Sequence, residues 1–140
     1  MADGFGPQPL FFCLLAETND ESRKVVGYSI YFYTYSTWAG RAMYLEDLFV
    51  DLPFRKLGTW PISTQRLADR FFFFLVGLGE ALLRATAADA VRRGCARLNL
   101  QVLDWNTPSI QFYDSTGGKA LKEWLTYRWE GASLKQLAGQ

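Results

Sequence analysis

Apolar and polar positions change period several times along the chain, and each change marks an element. Residues 1–9 carry glycines and prolines and read as loop. Residues 10–16 form a continuous apolar run with Phe11 and Phe12, the pattern of a buried strand. After polar turn material at 17–24, residues 25–35 are rich in β-branched and aromatic side chains and predict a second, longer strand. A turn around Gly40 within 36–41 lets residues 42–51 pair back as a third strand, so the first part reads as an antiparallel meander.

Helical spacing follows at 79–93, with Leu82, Leu83, Ala87, Ala90 and Val91 near one face and Gly94 as the stop. Residues 97–103 alternate enough to be the next strand. Asp104-Trp105-Asn106-Thr107-Pro108 is a turn into a helix, with Asn106 or Thr107 as N-cap and Pro108 in the first turn. That helix is expected to reach about Thr116 and stop at Gly117-Gly118; residues 120–130 then read as a final strand before a short polar tail. Three strands, helix, strand, helix, strand is an α/β layout with a mixed, mostly antiparallel sheet flanked by helices. No repeat or linker divides it, so residues 1–140 read as one domain.

Composition narrows the function classes. Fifteen basic residues against 14 acidic ones, a net charge of +1, imply no polyanionic partner such as nucleic acid. The sequence has no histidine, which removes histidine-dependent triads and most zinc sites, and no metal is expected. Cys13 and Cys95, far apart in apolar settings, read as buried free thiols of a reducing compartment. No basic segment precedes the first apolar run, as a secretory leader would require. The run at 71–78 is far short of the ~20 apolar residues of a membrane span, so a soluble cytoplasmic protein without a membrane partner is expected. The aromatic clusters include Tyr28, Tyr31, Phe32, Tyr33 and Tyr35, expected in sheet packing; Trp38 and Trp105 are likewise expected to pack rather than to cage a substrate.

Two stretches carry chemistry. The first is Tyr44-Leu45-Glu46-Asp47-Leu48-Phe49-Val50-Asp51-Leu52-Pro53-Phe54-Arg55-Lys56-Leu57-Gly58, a strand with acidic positions among apolar ones and then a basic turn ending in glycine. If residues 59–77 are set aside as an insertion, the turn meets the helix start as Arg55-Lys56-Leu57-Gly58-Leu78-Gly79, an Arg-x-x-Gly-x-Gly loop, with Glu80 next. Such a turn points successive backbone N–H groups into one concavity, and the helix start adds unpaired N–H groups and a partial positive charge. The second stretch is Trp105-Asn106-Thr107-Pro108-Ser109-Ile110-Gln111-Phe112-Tyr113.

The loop resembles the acetyl-CoA pyrophosphate loop of the GNAT acetyltransferases. Together with Tyr28-Ser29-Ile30-Tyr31, Ser36-Thr37-Trp38-Ala39-Gly40-Arg41 and Asp3-Gly4-Phe5-Gly6, the two stretches resemble the diamine N-acetyltransferase group, nearer its thialysine N-epsilon-acetyltransferase type than its spermidine/spermine type. The resemblance covers nearly the whole chain outside 59–77. It implies the GNAT fold, acetyl-CoA as co-substrate, a small primary amine such as a diamine, polyamine or thialysine as acceptor, and a homodimer.

The resemblance also implies roles. Glu46 would accept the amine proton and Tyr113 would donate to the departing thiolate. Asp47 would be structural or would help Glu46 hold a cationic substrate. The backbone at Leu48, Phe49 and Val50 would bind the pantetheine arm, and Arg55, Lys56, Leu57, Gly58, Leu78, Gly79 and Glu80 the pyrophosphate. Asn106 and Tyr113 would approach the thioester, and Ser109 would also contact the cofactor. The same residues also have structural readings: Glu46 and Asp47 as a solvated strand face, Tyr113 as a core aromatic and Asn106 as an N-cap only.

Two departures qualify the resemblance. The family normally has a strand and two helices ahead of the Asp3-Gly4-Phe5-Gly6 match, so the fold is expected to lack them and to leave a sheet edge uncovered. Residues 59–77 interrupt the cofactor loop; their phenylalanine and leucine codons are pyrimidine-rich, as a retained intron's end would be. Either the segment bulges out and Gly79 starts the helix, or the helix starts near Ser63 and its positive end moves about 24 Å from the phosphate position. Two further readings follow: a non-catalytic dimer partner of a full-length relative, and an acetyltransferase of amino-acid or peptide amines.

Overall fold

The computed structural model describes residues 2–55 and 77–140, and these fall into two compact units, Met1–Leu103 and Asp104–Gln140. The expectations for Lys56, Leu57 and Gly58, and for the insertion up to residue 76, lie outside the described residues.

In the first unit a single helical turn, α1 (Ala2–Phe5), stands where loop was expected. It is followed by β1 (Phe12–Glu17), β2 (Val25–Ser36), β3 (Gly40–Val50), α2 (Leu78–Arg92) and β4 (Leu98–Leu100). The four strands lie in the order β1-β2-β3-β4. β1, β2 and β3 form the predicted antiparallel meander, and β4 joins β3 in parallel after α2, which makes the sheet mixed. Gly40, at φ 81°, closes the β2–β3 hairpin in a conformation that costs a glycine nothing.

One face of the sheet packs against α2. Leu14, Ala16, Val26, Tyr31, Met43, Leu45 and Val50 form the core with Leu78, Ala81, Leu82, Ala85 and Ala90. The buried stripe of α2 is rotated from the expected one: it includes Thr86 and Asp89, whereas Leu83 and Ala87 are half-buried and Val91 is exposed. Polar groups can occupy this face because the sheet supplies their partners, Ser29 for Thr86 and Tyr31 for Asp89. Gly94, at φ 72°, follows the helix as expected.

The helix begins at Leu78, with Gly77 extended in front of it (φ −63°, ψ 157°), so α2 does not run back through residue 77; the expected alternative start near Ser63 lies outside the described residues. A helix running through residue 77 would need αR geometry there.

The second unit contains α3 (Thr107–Ser115) and α4 (Ala132–Leu137), the latter where a polar tail was expected. The strand predicted at 120–130 is absent. Leu121, Trp124, Leu125, Tyr127 and Trp129 are exposed, although Tyr127 and Trp129 still stack at 6.3 Å. Alternation becomes a strand only when a neighbour takes its N–H and C=O groups, and among the described residues no strand does so here.

Trp38 and Trp105 are also exposed rather than packed, as is Tyr35. Cys13 and Cys95 are free thiols but half-buried, and burial raises the Cys13 pKa, keeping it a thiol.

Candidate active site

The register of β2 and β3 is regular except at one step. Ile30 lies across from Asp47 and Tyr31 across from Leu45, so Glu46 has no partner on β2. Glu46 is the extra residue of a β-bulge, which bends the strand and re-aims the side chains beside it. Before the bulge Met43 and Leu45 are buried; after it the half-buried Leu48 and buried Val50 continue the same face in the opposite parity. Glu46 and Asp47, consecutive and both exposed, sit at the change. The bulge thereby presents two carboxylates to solvent from a strand whose other face is packed in the core.

The far edge of β3 is the second feature. β4 pairs only with Met43, Tyr44 and Leu45, so from Glu46 to Val50 this edge has no strand partner among the described residues. A chain running along the edge would meet backbone donors and acceptors there, as an added strand does. Phe49 stacks on its cross-strand partner Tyr28 at 5.5 Å beside that edge.

β3 leads through Asp51 and a 3-10 turn, Leu52–Phe54, to Arg55. Arg55 Nε donates to Val50 O at 2.7 Å and its guanidinium lies 5.9 Å from the Phe49 ring centroid, so the side chain folds back onto the strand end. α2 starts close by. A Cβ on Gly27 would meet Phe49 O at 2.8 Å, Leu82 Cδ1 at 3.3 Å and Val50 Cγ2 at 3.4 Å, so the early turns of α2 rest directly on the end of β3. Gly27 is what this close approach requires, and no local pattern in the sequence marks it out.

At the helix start Ala81 N donates to Gly77 O at 3.0 Å, and no side chain caps the first turn. The amides of Leu78, Gly79 and Glu80 therefore have no acceptor within the helix, the arrangement that receives an anion. Glu80 brings a carboxylate to this turn, but Arg84 holds it at 2.7 Å and offsets its charge. The first unit thus assembles Glu46, Asp47, the open edge at Leu48–Val50, Arg55 and the start of α2.

In the second unit Asn106 is the N-cap of α3: its side chain accepts from Ser109 N at 3.4 Å, and Pro108 stands in the first turn as predicted. Capping uses the amide oxygen of Asn106 and not its nitrogen, so the capping and ligand readings remain compatible. Tyr113 lies in the same helix, half-buried, with its ring 5.1 Å from that of Phe112. Burial raises the Tyr113 pKa, so the hydroxyl keeps its proton at neutral pH. The Tyr113 carbonyl accepts from Thr116 and Gly118, both at 3.1 Å, which ends the helix just beyond it.

Asp89 is the other buried group of note. Only 1% exposed, it accepts from Tyr31 Oη and Arg93 Nε, each at 2.8 Å, and from Arg92. Burial alone would raise its pKa, but the bonds from Arg93, Tyr31 and Arg92 outweigh that and hold it below the usual carboxylate value. An acid within an apolar helix stripe was the signal available for it.

Among the described residues no group of three or more His, Cys, Asp or Glu side chains could hold a metal ion, and no helix is long and apolar enough to cross a membrane.

Comparison with known proteins agrees with this geometry. A sequence profile of the acetyltransferase (GNAT) family matches residues 76–117, from just before α2 through α3. The thialysine N-epsilon-acetyltransferase of Mus musculus is 35% identical over 99% of this chain and 75% of its own length. The spermidine/spermine N(1)-acetyltransferase-like protein 1 of Homo sapiens is 30% identical over 99% of this chain but 18% of its own length. An integron cassette protein from the mobile metagenome of V. cholerae superposes with a TM-score of 0.73 at 25% identity, covering 98% of this chain and 72% of that one. The mixed sheet, the uncapped helix after the bulged strand and this likeness along nearly the whole sequence place the chain in one family: it belongs to the GNAT acetyltransferases.

Proposed function

We propose that this protein transfers the acetyl group of acetyl-CoA to the primary amine of a small diamine, polyamine or thialysine-like acceptor. The observation that carries the reading is the bulge. It presents Glu46 and Asp47 beside a strand edge with no strand neighbour among the described residues, and that edge leads to the uncapped start of α2. The mouse relative's name, a thialysine N-epsilon-acetyltransferase, supports the acceptor class.

The roles follow from the chemistry. Acetyl-CoA supplies an acyl group activated as a thioester. The backbone at Leu48, Phe49 and Val50 takes its extended arm, while the amides of Leu78, Gly79 and Glu80, with Arg55, Lys56, Leu57 and Gly58, take its diphosphate. A Lys-like ammonium has a pKa near ~10.4 and must lose a proton before attack. Glu46 accepts that proton, directly or through water, and Asp47 holds a second positive charge on the acceptor. Asn106 contributes a polar contact at the thioester and Ser109 a further cofactor contact, and Tyr113 supplies the proton that the leaving thiolate needs. Holding both reactants in place contributes about 7–11 kcal/mol to lowering the barrier.

Titration calorimetry with acetyl-CoA, on this chain and on a version joined from Gly58 to Leu78, tests the reading. The joined version is expected to bind acetyl-CoA and to acetylate diamines or thialysine. A folded joined chain with no affinity for acetyl-CoA removes the reading. Tyr113→Phe is expected to lower kcat about 10²-fold with KM little changed, measured with a saturating amine; an unchanged kcat would leave Tyr113 a packing residue.

A second reading is favoured by the exposed, alternating stretch 120–130, with Trp124, Leu125, Tyr127 and Trp129 open to pairing. It is a homodimer, or a dimer with a full-length relative in which this chain is non-catalytic. Doubled mass in light scattering without acetyl-CoA binding would favour the non-catalytic form.

A further inference from the structure

Apolar contact between a helix and a sheet is non-directional, so it fixes their separation better than the slide or rotation of one over the other. Between α2 and β2 there are directional contacts as well. Ser29 and Tyr31, both almost fully buried, face the helix and bond to Thr86 and Asp89 one turn apart on it. Thr86 Oγ1 donates its only hydrogen to Leu82 O at 2.9 Å, so Ser29 is the donor in the 2.9 Å contact between the two hydroxyls. Tyr31 donates to Asp89 Oδ2, and Arg92 and Arg93 complete the shell of that carboxylate. For stability alone, well-packed apolar residues in place of the whole set of Tyr31, Asp89 and the two arginines would serve as well, because such packing often matches or exceeds a buried ion pair.

These fastenings stand at one place in the sheet. The ladder skips Glu46 between Ile30 and Tyr31, with Ser29 across from Leu48 and Tyr31 across from Leu45. They therefore grip β2 on both sides of the bulge and tie it to the helix whose start lies at the end of β3. Resting on the acetyl-transfer reading above, we propose that Tyr31 and Ser29 are positioning residues: through Asp89 and Thr86 they lock the Glu46 bulge to α2, so that base and acyl donor keep a fixed separation. Displacements of about 1 Å at a reacting pair can cost about 10²-fold in rate, which gives such a lock its value.

Tyr31→Phe tests this with little risk to folding, since it removes one hydroxyl and leaves Asp89 with both arginines. Expected are a kcat about tenfold lower, with the acetyl-CoA Kd and amine KM within about twofold, and faster amide hydrogen exchange confined to residues 45–48. Val26→Ala, a buried change in β2 outside the site, serves as a control matched in Tm and is expected to keep kcat. A wild-type kcat in Tyr31→Phe, a loss no larger than that of the control, or a raised acetyl-CoA KM at unchanged kcat overturns the proposal. Should neither the unaltered chain nor the joined version bind acetyl-CoA or acetylate an amine, the acetyl-transfer reading fails separately and exchange decides this one: acceleration confined to 45–48 supports the lock, and unchanged exchange there overturns it.

Discussion

Glu46→Gln is expected to lower kcat for amine acetylation about 10²–10³-fold at neutral pH, with acetyl-CoA affinity unchanged. Glutamine has nearly the shape of glutamate but cannot take the proton that a cationic amine must lose. Glu46 is exposed and lies outside the paired ladder, so the fold does not depend on its charge; the Tm should move little, as for surface changes generally. The deficit should shrink as pH approaches about 10, where the amine deprotonates unaided. A pH–rate series on wild type and variant checks this. A variant with wild-type kcat at neutral pH would remove Glu46 as the base and leave the bulge a structural feature.

The second large effect falls on stability. Asp89→Ala leaves the buried Tyr31 hydroxyl without its acceptor and removes the shared partner of Arg92 and Arg93. Breaking a buried pair costs about 3–5 kcal/mol. Both arginine side chains keep partial access to water, at 41% and 30% exposure, so about 3 kcal/mol is expected. That corresponds to a Tm lower by about 6–12 °C, read by calorimetry.

The same carboxylate predicts an acid response. Its pKa is depressed in the folded state, so its contribution is fully present above the unfolded carboxylate value near ~3.9 and is lost as pH falls through the lower folded value. Wild type should lose stability steeply below about pH 4, and Asp89→Asn should flatten that slope. Equal slopes in the two chains would show that other carboxylates govern acid unfolding.

Much of this molecule was legible in the sequence because the signals are local. The meander followed from alternation and the glycine turn at Gly40, and the cap at Asn106-Thr107-Pro108 followed from side-chain chemistry. Even the bulge left a trace: consecutive acids at Glu46 and Asp47 break a strand whose apolar positions resume at Leu48 in the opposite parity. Other features were not legible. The segment 120–130 alternates like a strand yet pairs with none, because a ladder needs a second chain segment and alternation names no partner. The stripe on α2 was misplaced by counting apolar residues alone, since Asp89 and Thr86 are buried only because Tyr31 and Ser29 stand opposite.

The sequence by itself determined the order of elements from β1 to α3, the acidic pair on a strand and the family, all carried by residues close together in the chain. Only the tertiary structure decided that the helix begins at Leu78, that Gly27 must be small and that Asp89 belongs inside. Each of these depends on what a residue meets across a gap between layers. Burial, close approach and hydrogen-bond satisfaction are set by partners distant in the chain, which no local pattern of hydrophobic and polar residues encodes.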